Sequence, residues 1–183
     1  MKWIFITIGV VAGLVALIPI VGALLPRDHV ATVTARIAAP PSAVWTVITD
    51  AANYPKWRSD VTRVEMLTPA ATGPSWREYS RHGAITMVVD AADAPRRMVG
   101  RIADEGLPFG GKWEYEIQPD GPSSSTVTIT ERGSVYNPVF RFVSKFIMGH
   151  TATLESYLRA LGKHFGNEPT PTIVAATGGP DGL

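Results

Sequence analysis

The first twenty-five residues constrain this chain more than any other part of it. Residues 3–25 form a run of 23 residues without a charged side chain. As a helix this run would be roughly 34 Å long, enough to cross the roughly 30 Å hydrocarbon core of a bilayer. The sequence therefore predicts a single-pass membrane protein, with residues 1–27 as the transmembrane anchor.

A cleaved signal peptide is the main alternative to an anchor. Lys2 would then be a short basic region, and the small residues Val21, Gly22 and Ala23 would provide the cleavage site. The apolar run is longer than the apolar region of a usual signal peptide, which favours the uncleaved anchor. The very short N-terminal tail resembles that of a signal anchor, so we expect the following domain outside the cytoplasm.

Composition excludes several classes of function. The net charge is +1 and only 18% of residues are charged, so no large basic surface is available for nucleic acid. The absence of cysteine excludes disulfides, thiolate nucleophiles and cysteine metal sites. The four histidines (His29, His82, His150 and His164) have no chelating spacing, so neither a metal nor another cofactor is expected.

The chain after residue 27 reads as one α+β domain. Residues 29–37 alternate as a half-buried strand, and Pro41 begins a short helix that ends near Asp50. Short strands separated by turn residues then predict an antiparallel meander. These predicted strands are 61–67, 76–81, 85–89, 98–102, 112–117 and 126–131.

The last predicted element is one long amphipathic helix. Asn137 caps it, Pro138 opens it, and an apolar stripe continues to residue 165 before Gly166 ends it. This is the only element long enough to cover the apolar face of the sheet. The domain is therefore expected to span 28–166, and the tail 167–183, rich in proline and glycine, is predicted to be disordered.

Several motifs in this order resemble a known superfamily. The segment APPSAVWTVITD at 39–50, followed by YPKW at 54–57, resembles the opening of START-like (SRPBCC) proteins, which include the polyketide cyclase/dehydrase group. GGKW at 110–113, TERG at 130–133 and the final helix are similar to a membrane-anchored bacterial branch. The resemblance implies the helix-grip fold, in which a curved antiparallel sheet grips a long C-terminal helix around an apolar cavity. It does not imply catalysis, because the superfamily contains carriers, receptors and enzymes.

Two residues are candidates for acid–base chemistry. His150 lies on the apolar stripe of the final helix, where it would contact a ligand or be satisfied within the core. Glu131 shares a strand face with Val127 and Ile129 and would point inward if the alternation continues. It would then need a partner such as Arg132, Arg141 or His82; alternatively the strand ends before it and the carboxylate is solvated.

The apolar residues expected to face the cavity are the other candidate site residues. The predicted ligand-binding set is Met87, Met98, Phe109, Trp113, Tyr115, Phe142, Phe146, His150 and Tyr157. Three hypotheses follow: a membrane-tethered domain that binds a lipid or another apolar small molecule, a cyclase/dehydrase-like enzyme, and an interaction module with a vestigial cavity. A wholly apolar cavity would favour the first, convergent polar groups the second, and a filled interior the third.

Overall fold

A computed structural model describes residues 2–81 and 83–175 of the chain. The side chains of residues 2, 4–6, 8–12, 14, 15 and 148 lie outside this description, as do His82 and the tail from 176 onward. Helix α1 (Lys2–Leu24) precedes the domain. Among the residues that are described together with their side chains, no helix is long and apolar enough to cross a membrane.

The domain is built on one curved antiparallel sheet of eight strands. The strands are β1 (Asp28–Ile37), β2 (Arg63–Ala70), β3 (Gly73–Ser80), β4 (Gly83–Asp93), β5 (Arg97–Ile102), β6 (Phe109–Pro119), β7 (Ser125–Val135) and β8 (Thr172–Val174). Their order is β2-β3-β4-β5-β6-β7-β1-β8, so the predicted meander is confirmed and β1 joins it beside β7. Register shifts near Leu67 and Val89 are of the kind that bends a sheet.

Helices cover the concave face of this sheet. Helix α2 (Pro41–Thr49) begins with Pro41 as predicted and is followed by a 3₁₀ helix, Ala51–Lys56. The final helix, α4 (Ala152–His164), buries one stripe against the sheet. That stripe contains Leu154, Tyr157, Leu158 and Leu161, all at most 3% exposed. An antiparallel sheet with its concave face covered by a C-terminal helix is the arrangement of the helix-grip fold.

The predicted long final helix is divided into two helices. Asn137 Oδ1 accepts hydrogen bonds from the backbone N–H groups of Val139 and Phe140, and thereby caps α3 (Pro138–Val143) as expected. A π-helical turn, Ser144–Met148, follows, and Gly149 then adopts a positive φ of 75°. Because few residues other than glycine adopt this conformation readily, the chain changes direction here and α4 starts afresh at Ala152.

The tail also differs from its prediction as far as it is described. The Asn167 side chain accepts a hydrogen bond from the Ala38 N–H and donates one to the Arg36 carbonyl. Residues Thr172–Val174 form β8 along the edge of β1. The proline- and glycine-rich composition of the tail gave no sign of this strand, which pairs with the edge of β1. The predicted disorder of 176–183 lies outside the described residues.

The C-terminal end of α1 contacts the domain through α3. A side chain on Gly22 would collide with the backbone of Pro138, so the two helices approach more closely than any residue other than glycine would permit at this position. One guanidinium nitrogen of Arg141 donates to the carbonyl of Leu25 at 3.0 Å and lies 3.4 Å from that of Ala23. These carbonyls have no partner within α1, so Arg141 caps its end.

Candidate functional site

Two histidines and a glutamate come together at the start of β1, in the second half of β7 and just before α4. The rings of His29 and His150 stack with centroids 3.9 Å apart. His29 Nε2 lies 3.6 Å from Glu131 Oε1. The side chains of His29 and Glu131 are only 15% and 22% exposed, so the group is largely shielded from solvent.

Strand alternation explains why His29 and Glu131 point inward. On β1, Ala31, Val33 and Ala35 are buried, and His29 continues that face. Strand β7 extends beyond Glu131 to Val135, so Glu131 lies on the same face as Val127 and Ile129. We expected Arg132, Arg141 or His82 to be the partner of Glu131. Among the described residues, its partner is His29.

A glycine makes room for this arrangement. Gly133 is paired with His29 in the β1–β7 register. A side chain on Gly133 would lie 2.6 Å from His29 Nε2 and would also collide with Cε1 of that ring. The absence of a side chain at position 133 therefore permits His29 to lie flat against the sheet.

His150 reaches the cluster from the break between the π-helical turn and α4. Its Nδ1 atom shares a hydrogen bond of 3.2 Å with Ser144 Oγ. Burial lowers the pKa of His150, and the neighbouring His29 and Lys145 lower it further, against the opposing effect of Glu131. A neutral imidazole is consequently favoured, and a neutral imidazole both donates and accepts hydrogen bonds.

A pocket of about 200 Å³ opens beside the two histidines. Its lining includes Leu25 and Pro26 after α1, and Arg141, Lys145, His29 and His150 from the domain. Two buried polar atoms of these residues, His29 Nδ1 and Arg141 Nε, have no hydrogen-bond partner among the described residues. Burying a polar atom without a partner costs about 1–3 kcal/mol, so a ligand that satisfies these atoms would be favoured.

A second polar group is packed beneath α4. Arg58 Nη1 lies 3.1 Å from Glu78 Oε2, and both side chains are at most 10% exposed. Trp76 donates its indole N–H to the same carboxylate at 2.8 Å. Burial has the largest single effect and lowers the pKa of Arg58, but Glu78, Asp60 and Tyr157 together outweigh it, and the net direction is upward. This pair is therefore a charged, hydrogen-bonded part of the core.

Three tyrosines surround that ion pair. The Arg58 guanidinium lies over the rings of Tyr54 and Tyr157, at 5.1 and 5.2 Å from their centroids. The ring of Tyr115 lies 5.5 Å from that of Tyr157. Burial raises the pKa of all three hydroxyls, so they remain neutral hydrogen-bonding groups rather than phenolates.

The predicted ligand-binding residues divide between the core and the surface. Met87, Met98, Tyr115 and Tyr157 are buried in the core cluster, with Trp113 packed against it. Trp113 lies edge-on to Tyr157, with centroids 5.9 Å apart. These residues thus contribute to packing beneath α4, and a ligand-binding role for them stays a prediction.

The three phenylalanines of the predicted set lie at the other end of the domain. Phe109 and Phe142 are partly buried. Phe146, by contrast, is 59% exposed and packs on Phe142 with ring centroids 4.9 Å apart. Its expected position facing the sheet is wrong, because the π-helical turn shifts the periodicity on which that expectation depended.

Sequence reasoning missed His29, Arg58 and Glu78. The alternation of β1 already placed His29 on the inward face, so that signal was present but not used. Glu78 is two residues from Trp76 on β3, which indicates a shared face. Arg58 follows the 3₁₀ helix in an irregular turn, and no periodicity in the sequence predicts its burial.

A larger groove of about 780 Å³ lies on the outer side of α4. It is bordered by Trp57 and by the basic residues Lys56, Arg159 and Lys163. Arg159 is held by Glu155 at 2.8 Å. None of the residues predicted to bind a ligand borders this groove.

The fold is similar to solved structures of one superfamily. A START superfamily protein from Mycobacterium smegmatis has 18% identity and a TM-score of 0.62, with 75% of this chain and 97% of that chain covered. The Zhui aromatase/cyclase from Streptomyces sp. R1128 has 14% identity and a TM-score of 0.63, covering 76% and 94%. A truncated norcoclaurine synthase from Thalictrum flavum has 15% identity and a TM-score of 0.60, covering 75% and 92%.

The family itself is established by the sequence. No curated protein matches the chain. The family described as polyketide cyclase / dehydrase and lipid transport, however, matches residues 28–165, which is most of the chain and nearly the whole domain. The chain therefore belongs to this family, within the START-like superfamily.

Proposed function

We propose that the domain binds a lipid, or another apolar small molecule with an acidic head group, and that residues 3–25 tether it to a membrane. The observation that carries the proposal is the pocket beside His29 and His150, whose lining combines apolar residues and several basic ones with one carboxylate, Asp28. Arg141 and Lys145 provide positive charge there. A carboxylate or phosphate would accept hydrogen bonds from Arg141 Nε and from a histidine ring, both of which favour a charged acceptor.

The size of the pocket supports the binding of a head group. Ligand pockets that enclose a whole small molecule measure about 300–1,000 Å³, whereas this one measures about 200 Å³. The apolar part of the ligand would therefore extend past the pocket. The tether stays a prediction that rests on the uncharged sequence of residues 3–25.

Binding is tested on the full chain in detergent with two fluorescent probes, an anthroyloxy fatty acid and the headless hydrocarbon diphenylhexatriene. We expect His150→Leu to weaken binding of the fatty acid by about tenfold, as for loss of one charge-assisted hydrogen bond, and to leave the hydrocarbon unaffected. His164→Leu is the matched control, because His164 lies in the outer groove. If the wild-type chain binds neither probe, the binding function is wrong and the vestigial-cavity alternative is favoured.

A cyclase/dehydrase-like enzyme is the second candidate, and the contact between Glu131, His29 and His150 favours it. A carboxylate that orients one imidazole beside a second, neutral imidazole provides a base and an acid within a few ångströms. Incubation of the full chain with a poly-β-ketone thioester, followed by mass spectrometry, tests this activity. Loss of water from the substrate that disappears in both Glu131→Gln and His29→Gln would support the enzyme; an unchanged substrate would exclude it for this class.

A further inference from the structure

An exposed apolar surface lies next to the proposed binding pocket. We name it the apolar ridge, formed by Val139 and Phe140 of α3 and by Phe146 and Ile147 of the π-helical turn. Phe146 is 59% and Ile147 is 72% exposed. Large apolar side chains grouped on a surface are typical of sites that bind a protein or a membrane.

The position of the ridge identifies its partner. Helix α3 begins where Gly22 of α1 touches Pro138, and the C-terminal part of α1 carries exposed apolar residues of its own, Leu17, Ile20 and Leu24. The ridge thus continues the uncharged N-terminal segment of the chain. An element packed against the end of a membrane anchor lies within reach of the bilayer surface.

Charge supports the same partner. Arg27 follows α1 and Lys145 lies within the π-helical turn, and both are exposed. Basic residues beside aromatic and aliphatic ones are typical of segments that lie in the interfacial layer of anionic membranes. Each basic residue near such a surface contributes attraction to anionic head groups, while the apolar side chains enter the acyl boundary.

We infer that the apolar ridge inserts into the surface of the bilayer and holds the pocket of His29 and His150 at the level of the lipid head groups. The elements that carry the ridge also contribute to the pocket lining, through Arg141 of α3 and Lys145 of the π-helical turn. A lipid head group would therefore enter the pocket while its acyl chains remain in the membrane. The inference rests on the proposed membrane tether.

The absence of cysteine permits a direct test by single-site labelling. Ile147→Cys and the control Met66→Cys, in the full chain, are labelled with the fluorophore NBD and reconstituted in vesicles of phosphatidylcholine and phosphatidylglycerol containing nitroxide-labelled lipid. Met66 is the matched control because it is an apolar residue, 52% exposed, on the opposite edge strand β2. We expect most of the emission at position 147 to be quenched and none at position 66.

Flotation of the same samples separates the inference from the tether. If the chain floats with the vesicles but the label at position 147 is not quenched, the inserted ridge is wrong while the tether stands. If both labels are quenched equally, insertion is not specific to the ridge and the inference is also overturned. If the chain does not float, tether and ridge both fail, whereas probe binding in detergent still reports on the ligand site.

Discussion

The imidazole ring of His29 on β1 stacks on that of His150, 121 positions further along the chain, with centroids 3.9 Å apart. The contact joins the first strand after α1 to the segment that enters the last helix. Glu131 Oε1 lies 3.6 Å from His29 Nε2. This stack therefore joins β1 to the segment before α4, and both of its rings line the pocket. A change in the stack should alter the environment of both histidines.

Gly133→Ala should separate the two histidines. The new methyl group would occupy the place of the His29 ring, which is the far end of a flexible side chain and can turn away. Because His29 contributes to the lowered pKa of His150, we expect the pKa of His150 to rise in this variant, as measured by NMR titration of the histidine ring protons.

Gly100→Ala is the control for that experiment. Gly100 also lies in the sheet and is buried, but a side chain there would meet Met87 Cε at an ordinary 3.5 Å. The titration of His150 should be unchanged in this variant. An unchanged titration in Gly133→Ala as well would show that His29 does not influence His150.

The lowered pKa of His150 makes stability depend on pH. In the unfolded chain the ring binds a proton below about pH 6.5, whereas the folded chain resists protonation until a lower pH. The unfolded state then binds more protons, so the free energy of unfolding should fall as the pH decreases below about 6.5. Thermal melts across this range should show a shallower fall for His150→Gln than for the wild type.

The buried pair of Arg58 and Glu78 should matter far more to stability than the exposed pairs. Glu78→Gln removes the buried one of the two carboxylates that pair with Arg58 and leaves Asp60, which is 58% exposed, at 2.7 Å. We therefore expect a loss of about 3 kcal/mol in the free energy of unfolding, the lower end of the range for breaking a buried pair. The measurement is urea denaturation of the full chain in detergent, followed by tryptophan fluorescence.

Two variants check the interpretation of that loss. Asp120→Asn breaks the exposed pair with Arg36, whose side chains are 66% and 45% exposed, and should cost less than about 1 kcal/mol. Replacing both buried partners, Arg58→Met with Glu78→Leu, should restore much of the stability lost in Glu78→Gln. A double variant as unstable as the single one would mean that shape, rather than unpaired charge, is the cause.

Most of the fold could be predicted from the sequence, because the alternation of apolar and polar residues in strands and the turn residues between them are local patterns. The predicted bounds of β1 and α2 each differ from the described ones by about one residue, at one end only. The break at Gly149 was not predicted, because Phe146, His150 and Leu154 continue the spacing of one helical face across it. The strand β8 was not predicted either, because its three residues are stabilised by pairing with β1 and have no amphipathic pattern of their own.

The candidate site was harder to predict from the sequence, because its residues come together only through contacts between distant segments. His150 and Glu131 are recognisable as polar residues at apolar positions, but their common neighbour His29 depends on the pairing of β1 with β7 across about 100 residues. Such pairing is a property of the whole sheet, which no local pattern encodes. The same holds for Arg58, whose partner Glu78 lies on a different element.

The exposed position of Phe146 predicts an unusually small effect of its removal. Phe146→Ala should change the free energy of unfolding by less than about 0.5 kcal/mol, as is usual for surface positions. Leu154→Ala, on the fully buried stripe of α4, should cost about 2–5 kcal/mol. Both are measured by denaturation in detergent; a loss of several kcal/mol for Phe146→Ala would place the ring in the core after all.

The residues after α4 should stabilise the domain measurably. Strand β8 covers part of the edge of β1, and Pro169 packs against Gly162 of α4. We expect fragments 28–175 and 28–166 both to be produced in folded form, with the longer one melting higher by roughly 2–8 °C for each kcal/mol contributed. Thr172→Pro in the longer fragment removes one backbone N–H from this edge strand and should lower its melting temperature towards that of the shorter one. Equal melting of all three fragments would show that β8 contributes nothing, and insolubility of both unmutated fragments would show that the domain boundary at residue 28 is wrong.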